Sequence, residues 1–181
     1  MKIQLLQRNL HERDSFFCGV EALDDYLKKY ALQDSKRNLT KVFVLEGSTS
    51  QEVAGYYTLS PLSFSKDELG IAFSKKLPHY PIPAILLGKL AVDVAYQKQG
   101  IGTLLLMDAL LRVYQASQES FGIYAVIVDA KNNKAKTFYE NFGFIPFLNE
   151  NSRLFLSLET VKMLIVNVQK DNPLDHKIAV C

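Results

Sequence analysis

Apolar residues recur at helical spacing at Leu23, Leu27, Tyr30 and Ala31, with Lys28 and Lys29 on the opposite side. This stripe predicts one amphipathic helix over residues 20–34, lying on a sheet. Two runs rich in β-branched and aromatic residues follow at 41–45 (KVFVL) and 53–59 (VAGYYTL), separated by the turn cluster Gly47-Ser-Thr-Ser. They predict a hairpin. Residues 60–83 carry Pro61, Pro78, Pro81 and Pro83 and read as a loop over the surface, because proline breaks a helix and restrains the residue before it.

Residues 84–93 form a nearly continuous apolar run, the pattern of a central strand covered on both faces. Gln97-Lys-Gln-Gly-Ile-Gly102 leads from it into residues 103–116, where Leu104, Leu105, Leu106, Ala109, Leu110 and Val113 predict a buried helix. A strand at 123–128 and a helix at 132–142 come next, the helix stopped by Gly143 in the C′ position. Residues 144–147 and 153–158 close the sheet. From about Asn167 to Cys181 the periodicity fades. The expected organisation is one α/β domain over residues 1–165 and a peripheral or disordered extension at 166–181.

Composition fits this picture: 181 residues at 48% hydrophobic and 22% charged support a full core and exclude collagenous, coiled-coil and disordered classes. The only cysteines are Cys18 and Cys181, so no disulfide framework or zinc spacing is present, and a reducing cytoplasm without a metal is expected. No run of about 18 apolar residues suggests a membrane span. The net charge is only +2, yet Lys28, Lys29, Lys36, Arg37 and Lys41 face a single Asp34 in their stretch. Such a cluster reads as a solvated helix face or as a local basic patch.

Gly100 and Gly102, between a buried strand and a buried helix, suit either a tight turn or a cradle of backbone N–H groups for phosphate. The third glycine of a dinucleotide fingerprint is replaced by Leu105, and neither a GxxxxGK[ST] loop nor a GxSxG elbow occurs. His11, His79 and His176 lack partner spacing and read as surface or capping residues. Tyr139 alone reads as a core aromatic, sharing a face with Ala135, Phe138 and Phe142.

Taken in order, Leu90-Ala-Val-Asp93, Gln97-Lys-Gln-Gly-Ile-Gly102 and Asn132-xx-Ala135-xx-Phe138-Tyr139-Glu140-xx-Gly143-Phe144 resemble the GNAT family of N-acetyltransferases, over roughly residues 41–158. Phe17-Cys-Gly19, Leu23-Asp24-x-Tyr26-Leu27, Val53-Ala-Gly-Tyr-Tyr-Thr-Leu-Ser60 and Ile82-Pro-Ala-Ile-Leu-Leu-Gly-Lys-Leu-Ala-Val-Asp93 resemble its toxin branch. Members of that branch pair with ribbon-helix-helix antitoxins and acetylate the amino group of charged tRNA. The resemblance implies an α+β fold with a central mixed, splayed sheet flanked by helices, and acetyl-CoA as co-substrate. It implies that Gln97, Lys98, Gln99, Gly100, Ile101, Gly102 and Thr103 wrap the pyrophosphate. Leu90, Ala91 and Val92 would hold the pantetheine and polarise the thioester, Asn132 and Ala135 would line the coenzyme, and Tyr139 would protonate the departing thiolate.

For the acceptor, the resemblance implies aminoacyl-tRNA held by Lys28, Lys29, Lys36, Arg37 and Lys89, with Lys41, Lys75, Lys76, Lys131, Lys134 and Lys136 as further candidates. It also implies an antitoxin partner and a homodimer. Lys89 stands where the branch carries arginine, keeping charge without the bidentate fork. Residues beyond about Thr160 are outside the branch's pattern. An α-amine with a pKa near 7.7–8.0 is already about one-tenth free base at neutral pH, whereas lysine near 10.4 needs a base. Asp93 and Asp129, the acids at the ends of the two strands, read as loop caps as readily as bases, so an α-amino acceptor is favoured. The alternatives are an acetyltransferase for a small molecule or protein, and a non-catalytic coenzyme- or partner-binding module.

Overall fold

The computed structural model of the chain describes residues 1–49 and 51–171, with side chains as far as 167. Its elements are β1 (Ile3–Leu5), α1 (Glu21–Asp25), a π-helical turn (Tyr26–Tyr30), α2 (Ala31–Lys36), β2 (Lys41–Glu46), β3 (Val53–Phe64), α3 (Ile71–Ser74) and β4 (Ile82–Val92). After β4 come α4 (Ile101–Glu119), β5 (Ala125–Asp129), α5 (Asn133–Glu140), β6 (Ile145–Pro146), β7 (Arg153–Ser157) and α6 (Leu158–Asp171). Among the described residues, seven strands form one sheet in the order β1-β2-β3-β4-β5-β7-β6. All neighbours are antiparallel except β4 and β5, which run parallel. The expected α+β architecture with a mixed central sheet is the one found.

The parallel pair is short: β4 meets β5 only through Ala84↔Ala125, Ile85↔Val126 and Leu86↔Ile127. From Leu87 onward β4 keeps β3 as its partner while β5 diverges, so the sheet splays open at its centre. One side packs under α4, α5 and α6, where Leu105, Leu106, Leu110 and Val113 meet Leu87, Val126 and Val128. The other is covered near β2–β4 by the α1–α2 segment, through Tyr26, Leu27, Ala31, Tyr56 and Ala91. Farther along, Phe64, Leu69, Ile82, Phe147 and Phe155 cover the same side. A bulge in the β3–β4 ladder, where Thr58 pairs with Lys89 but Leu59 with Leu87, leaves Gly88 extra. The added residue switches which parity of β4 faces each way: Ala84 packs with the third cluster, whereas beyond the bulge Ala91 packs with the α1–α2 segment.

Two expectations are revised. The helix expected over 20–34 is broken by the π turn, closed by the Ala31 N–H donating to the Tyr26 carbonyl five residues back. The extra residue in this turn rotates the stripe, leaving Tyr30 52% exposed and burying Tyr26 at 8%. Arg13 braces the turn by donating Nη1 to the carbonyls of Lys28 (3.0 Å) and Leu27 (3.5 Å). The proline-rich stretch is not all loop, because β3 continues through Pro61 to Phe64. Pro61 is tolerated there because β2 pairs only as far as Leu59, leaving this end of β3 without a neighbour on that side. Within the stretch expected as an extension, 166–181, helix α6 carries the chain to Asp171, and the remainder lies outside the described residues.

Of the histidines, His11 departs from the surface position expected and His79 keeps to it. His11 is buried, accepting the Gln7 N–H at Nδ1 (3.0 Å). Burial lowers its pKa, with Glu46 opposing. His79 is exposed beside the Lys66 ammonium (2.9 Å), and His176 lies outside the described residues.

Candidate active site

The divergence of β4 from β5 leaves backbone polar groups without a sheet partner. Asp93 donates its N–H to the Ala54 carbonyl (2.9 Å). Antiparallel alternation then turns Ala91 toward β3, while the N–H groups of Leu90 and Val92 face the splay. The Val92 carbonyl already accepts from Gln97 Nε2 (3.0 Å). Of the three residues expected to hold pantetheine, Leu90 and Val92 therefore offer backbone groups to a ligand, and Ala91 offers its place in the wall.

Beyond β4 the chain makes one 3-10 turn and enters α4 through the Gln97–Gly102 loop. Lys98 (φ 62°) and Gly100 (φ 79°) both adopt left-handed backbone, costly for lysine and natural for glycine. Each backbone N–H from Lys98 to Thr103 lacks a protein acceptor among the described residues. These donors converge on the positive end of a nineteen-residue helix, an arrangement that binds phosphate. Gly102 distinguishes the two readings of the glycine pair. A Cβ there would meet only the Phe138 ring, at 3.9–4.0 Å, so packing within the chain does not require glycine. The position is open to close approach by an external group.

The same contact shows that α5 leans on the first turn of α4, bringing together motifs about 30 residues apart. Asn132 caps α5, its Oδ1 accepting from the Ala135 N–H (2.9 Å), which leaves its amide group exposed. Ala135 is half-buried beside it. Gly143 (φ 87°) ends the helix as expected. Tyr139 is 8% exposed, held between the rings of Phe138 and Phe144 at 5.2 and 5.4 Å. Burial pushes its phenol up to about 12, so it stays protonated throughout the neutral range.

The two acids flanking the splay are engaged. Asp93 accepts from the N–H groups of Phe17 (2.8 Å) and Ala95 (2.9 Å), and Asp129 lies 3.7 Å from Arg153 Nε. Gln97 Nε2 bridges the carbonyls of Cys18 and Val92, both at 3.0 Å, and Asp24 accepts the Cys18 N–H (2.7 Å). The segment Phe17–Gly19 is thereby tied to the end of β4. The motifs containing these residues are visible in the sequence; the clamp they form is not, because Asp93 and Phe17 stand 76 residues apart.

The basic residues expected at the acceptor site divide by their partners. Lys28, Lys36, Arg37, Lys75, Lys76 and Lys134 have no ion-pair partner among the described residues, whereas Lys29 pairs with Asp25 (2.8 Å) and Lys136 with Glu140 (3.7 Å). Lys41 Nζ donates to Asn38 Oδ1 (3.1 Å). Lys89 is half-buried, with Nζ 3.9 Å from the centroid of the Tyr26 ring. Burial lowers its pKa, with Asp34 opposing and Lys131 reinforcing the shift.

Comparison with known proteins agrees with this geometry. The acetyltransferase (GNAT) domain family matches residues 38–146. A tRNA-acetylating toxin of Mycobacterium tuberculosis is 34% identical over 83% of this chain and 89% of its own length. The structure of AtaT complexed with acetyl-methionyl-tRNAfMet aligns with a TM-score of 0.83 at 32% identity, covering 91% of this chain and 98% of that one. A tyrosine-to-phenylalanine mutant of AtaT, bound to the C-terminus of the antitoxin AtaR and to acetyl-CoA, aligns with a TM-score of 0.78 at 30% identity, covering 91% and 97%. An N–H cradle at the start of α4, a splayed β4–β5 pair and this match over most of the domain lead to one assignment: the chain belongs to the GNAT family of acetyltransferases.

Proposed function

We propose that this protein acetylates the α-amino group of aminoacyl-tRNA and so blocks translation, acting as the toxin of a toxin–antitoxin pair. The observation that carries the acetyl-transfer half is the row of unpartnered N–H groups from Lys98 to Thr103 beside the unpaired edge of β4. These groups fit acetyl-CoA, which supplies the acetyl group as a thioester. Residues 98–103 hold its pyrophosphate, the Gln97 N–H being taken by the Val94 carbonyl (3.4 Å), while Leu90 and Val92 hold the pantetheine and Asn132 and Ala135 line the coenzyme. Similarity to a tRNA-acetylating toxin and to AtaT supports the acceptor class.

An N–H of Leu90 or Val92 polarises the thioester carbonyl and stabilises the oxyanion that forms as the amine attacks. Tyr139 directs its hydroxyl proton at the departing sulfur. Full transfer from a phenol at about 12 to a thiolate with an ordinary pKa near 8.5 is uphill by about 5 kcal/mol. Tyr139 therefore donates in concert with loss of a proton from the acetylated nitrogen, instead of ionising first. The α-amine needs no strong base, in keeping with the engagement of Asp93 and Asp129.

Lys36 and Arg37 supply exposed charge for the RNA backbone, joined by the half-buried Lys28. An antitoxin of the ribbon-helix-helix type covers the toxin between episodes of activity, and a homodimer is the working unit. Both enzyme and substrate belong to the cytoplasm, where charged tRNA is used. The test is incubation with labelled acetyl-CoA and total charged tRNA, beside deacylated tRNA and a polyamine panel. Label confined to charged tRNA is expected. Label on polyamines alone would make the protein a small-amine acetyltransferase.

A further inference from the structure

Lys89 is set apart from the other lysines by its position. It lies one residue beyond the bulge at Gly88 and one before Leu90, on the length of β4 that pairs with β3 but not with β5. The parity switch places it with Ala91 on the side covered by the α1–α2 segment, opposite α4 and α5. Its ammonium rests over the Tyr26 ring, a contact that favours the charged form. The groups whose charge reaches it come from the surrounding elements: Tyr26 from the π turn, Asp34 from α2, and Lys131 just after β5 on the other arm of the splay. Asp93 is taken up by the Phe17 and Ala95 N–H groups and Asp129 faces Arg153, so Lys89 and Lys131 against Asp34 give this side of the splay a positive field. A half-buried ammonium held on an aromatic ring is a poor phosphate anchor but a well-fixed source of that field.

Building on the acceptor assignment above, we propose that Lys89 is a reactivity-determining residue, whose ammonium holds the incoming α-amine in its unprotonated, nucleophilic form. A nearby positive charge disfavours the ammonium form of a second amine. A one-unit depression of a pKa near 7.9 raises the free-base fraction at pH 7 about fivefold. The free amine forms the N–C bond to the acetyl carbon and the C–S bond breaks. The thiolate takes a proton from Tyr139, and the nitrogen releases one that restores the phenol. Lys89 itself exchanges no proton in this sequence.

The test is the pH dependence of kcat at saturating charged tRNA, which reports ionisations in the bound complex. Lys89→Met is expected to move the ascending limb up by about half to one pH unit, with rates converging on wild type above the limb. Lys89→Arg should keep the wild-type limb. Lys131→Gln changes an exposed residue and should move the limb the same way by less, so the idea remains testable if Lys89→Met folds poorly. A uniform loss of kcat at every pH, or a rise in KM with the limb unmoved, would overturn the proposal and make Lys89 a packing or phosphate-binding residue. Should wild type label no charged tRNA, the acceptor assignment fails by itself, and the same limb measured on an amino-acid amide decides the role of Lys89. No transfer to any amine would overturn both.

Discussion

On the side of the splay proposed for the coenzyme, the candidate groups come from two short stretches, residues 90–103 and 132–139, each carried by a continuous strand–turn–helix unit. On the acceptor side they come from separate segments: Phe17 and Cys18, the π turn with Tyr26, Asp34 in α2, Lys89 in β4 and Lys131 after β5. The first side works largely through backbone N–H groups, whose positions follow from glycine placement and strand register. The second works through side chains that meet only after folding. A site of the first kind leaves a compact signature in sequence, whereas one of the second kind leaves scattered residues of ambiguous meaning.

The largest effect expected from separating the two sides is at Tyr139. Tyr139→Phe should lower kcat by about 10²–10³-fold, with the acetyl-CoA Kd from calorimetry within about twofold of wild type. Gly102→Ala should affect the coenzyme alone. The fold accepts the methyl group against Phe138, so thermal stability should hold or rise by up to about 1 kcal/mol, while the acetyl-CoA Kd weakens about tenfold. Arg13→Met tests the opposite side. Loss of its bonds to Leu27 and Lys28 should cost about 1–3 kcal/mol in urea unfolding and raise KM for charged tRNA severalfold, with acetyl-CoA binding unchanged.

Reversing charge with Lys36→Glu and Arg37→Glu should raise KM for charged tRNA and flatten its salt dependence by about two phosphate contacts. An unaltered salt slope would remove those residues from the RNA surface. The smallest effect concerns His11, whose folded pKa lies below the ordinary 6.5. The unfolded chain therefore binds the proton first, and the contribution present above pH 6.5 is lost as pH falls through 6.5 toward the folded value. Unfolding midpoints should drop between pH 7.5 and 5.5 in wild type and less so in His11→Gln.

The same contrast explains what could be read before folding. The strand at 84–93, the buried helix after Gly102, and the helix ended by Gly143 were legible because long apolar runs and glycine stops are local signals. The extent of β3 was not, since Pro61 argues for a loop until the end of β2 at its flank is known. The π turn was invisible because Leu23, Leu27 and Tyr30 fit an ordinary helix, and only tertiary packing selects Tyr26 over Tyr30 for burial. Gln97 stood out in the sequence through its place in the motif. Its side-chain bridge between Cys18 and Val92 depends on a segment 79 residues away. His11 misled for the same reason, as no spacing announces its burial.

The most direct test of the central claim is mass spectrometry of nuclease-digested charged tRNA after reaction with acetyl-CoA. An acetyl group on the α-nitrogen of the aminoacyl-adenosine, abundant with wild type and nearly lost with Tyr139→Phe, is the predicted result. Acetylation of other amines only, or equal product from both proteins, would contradict the account.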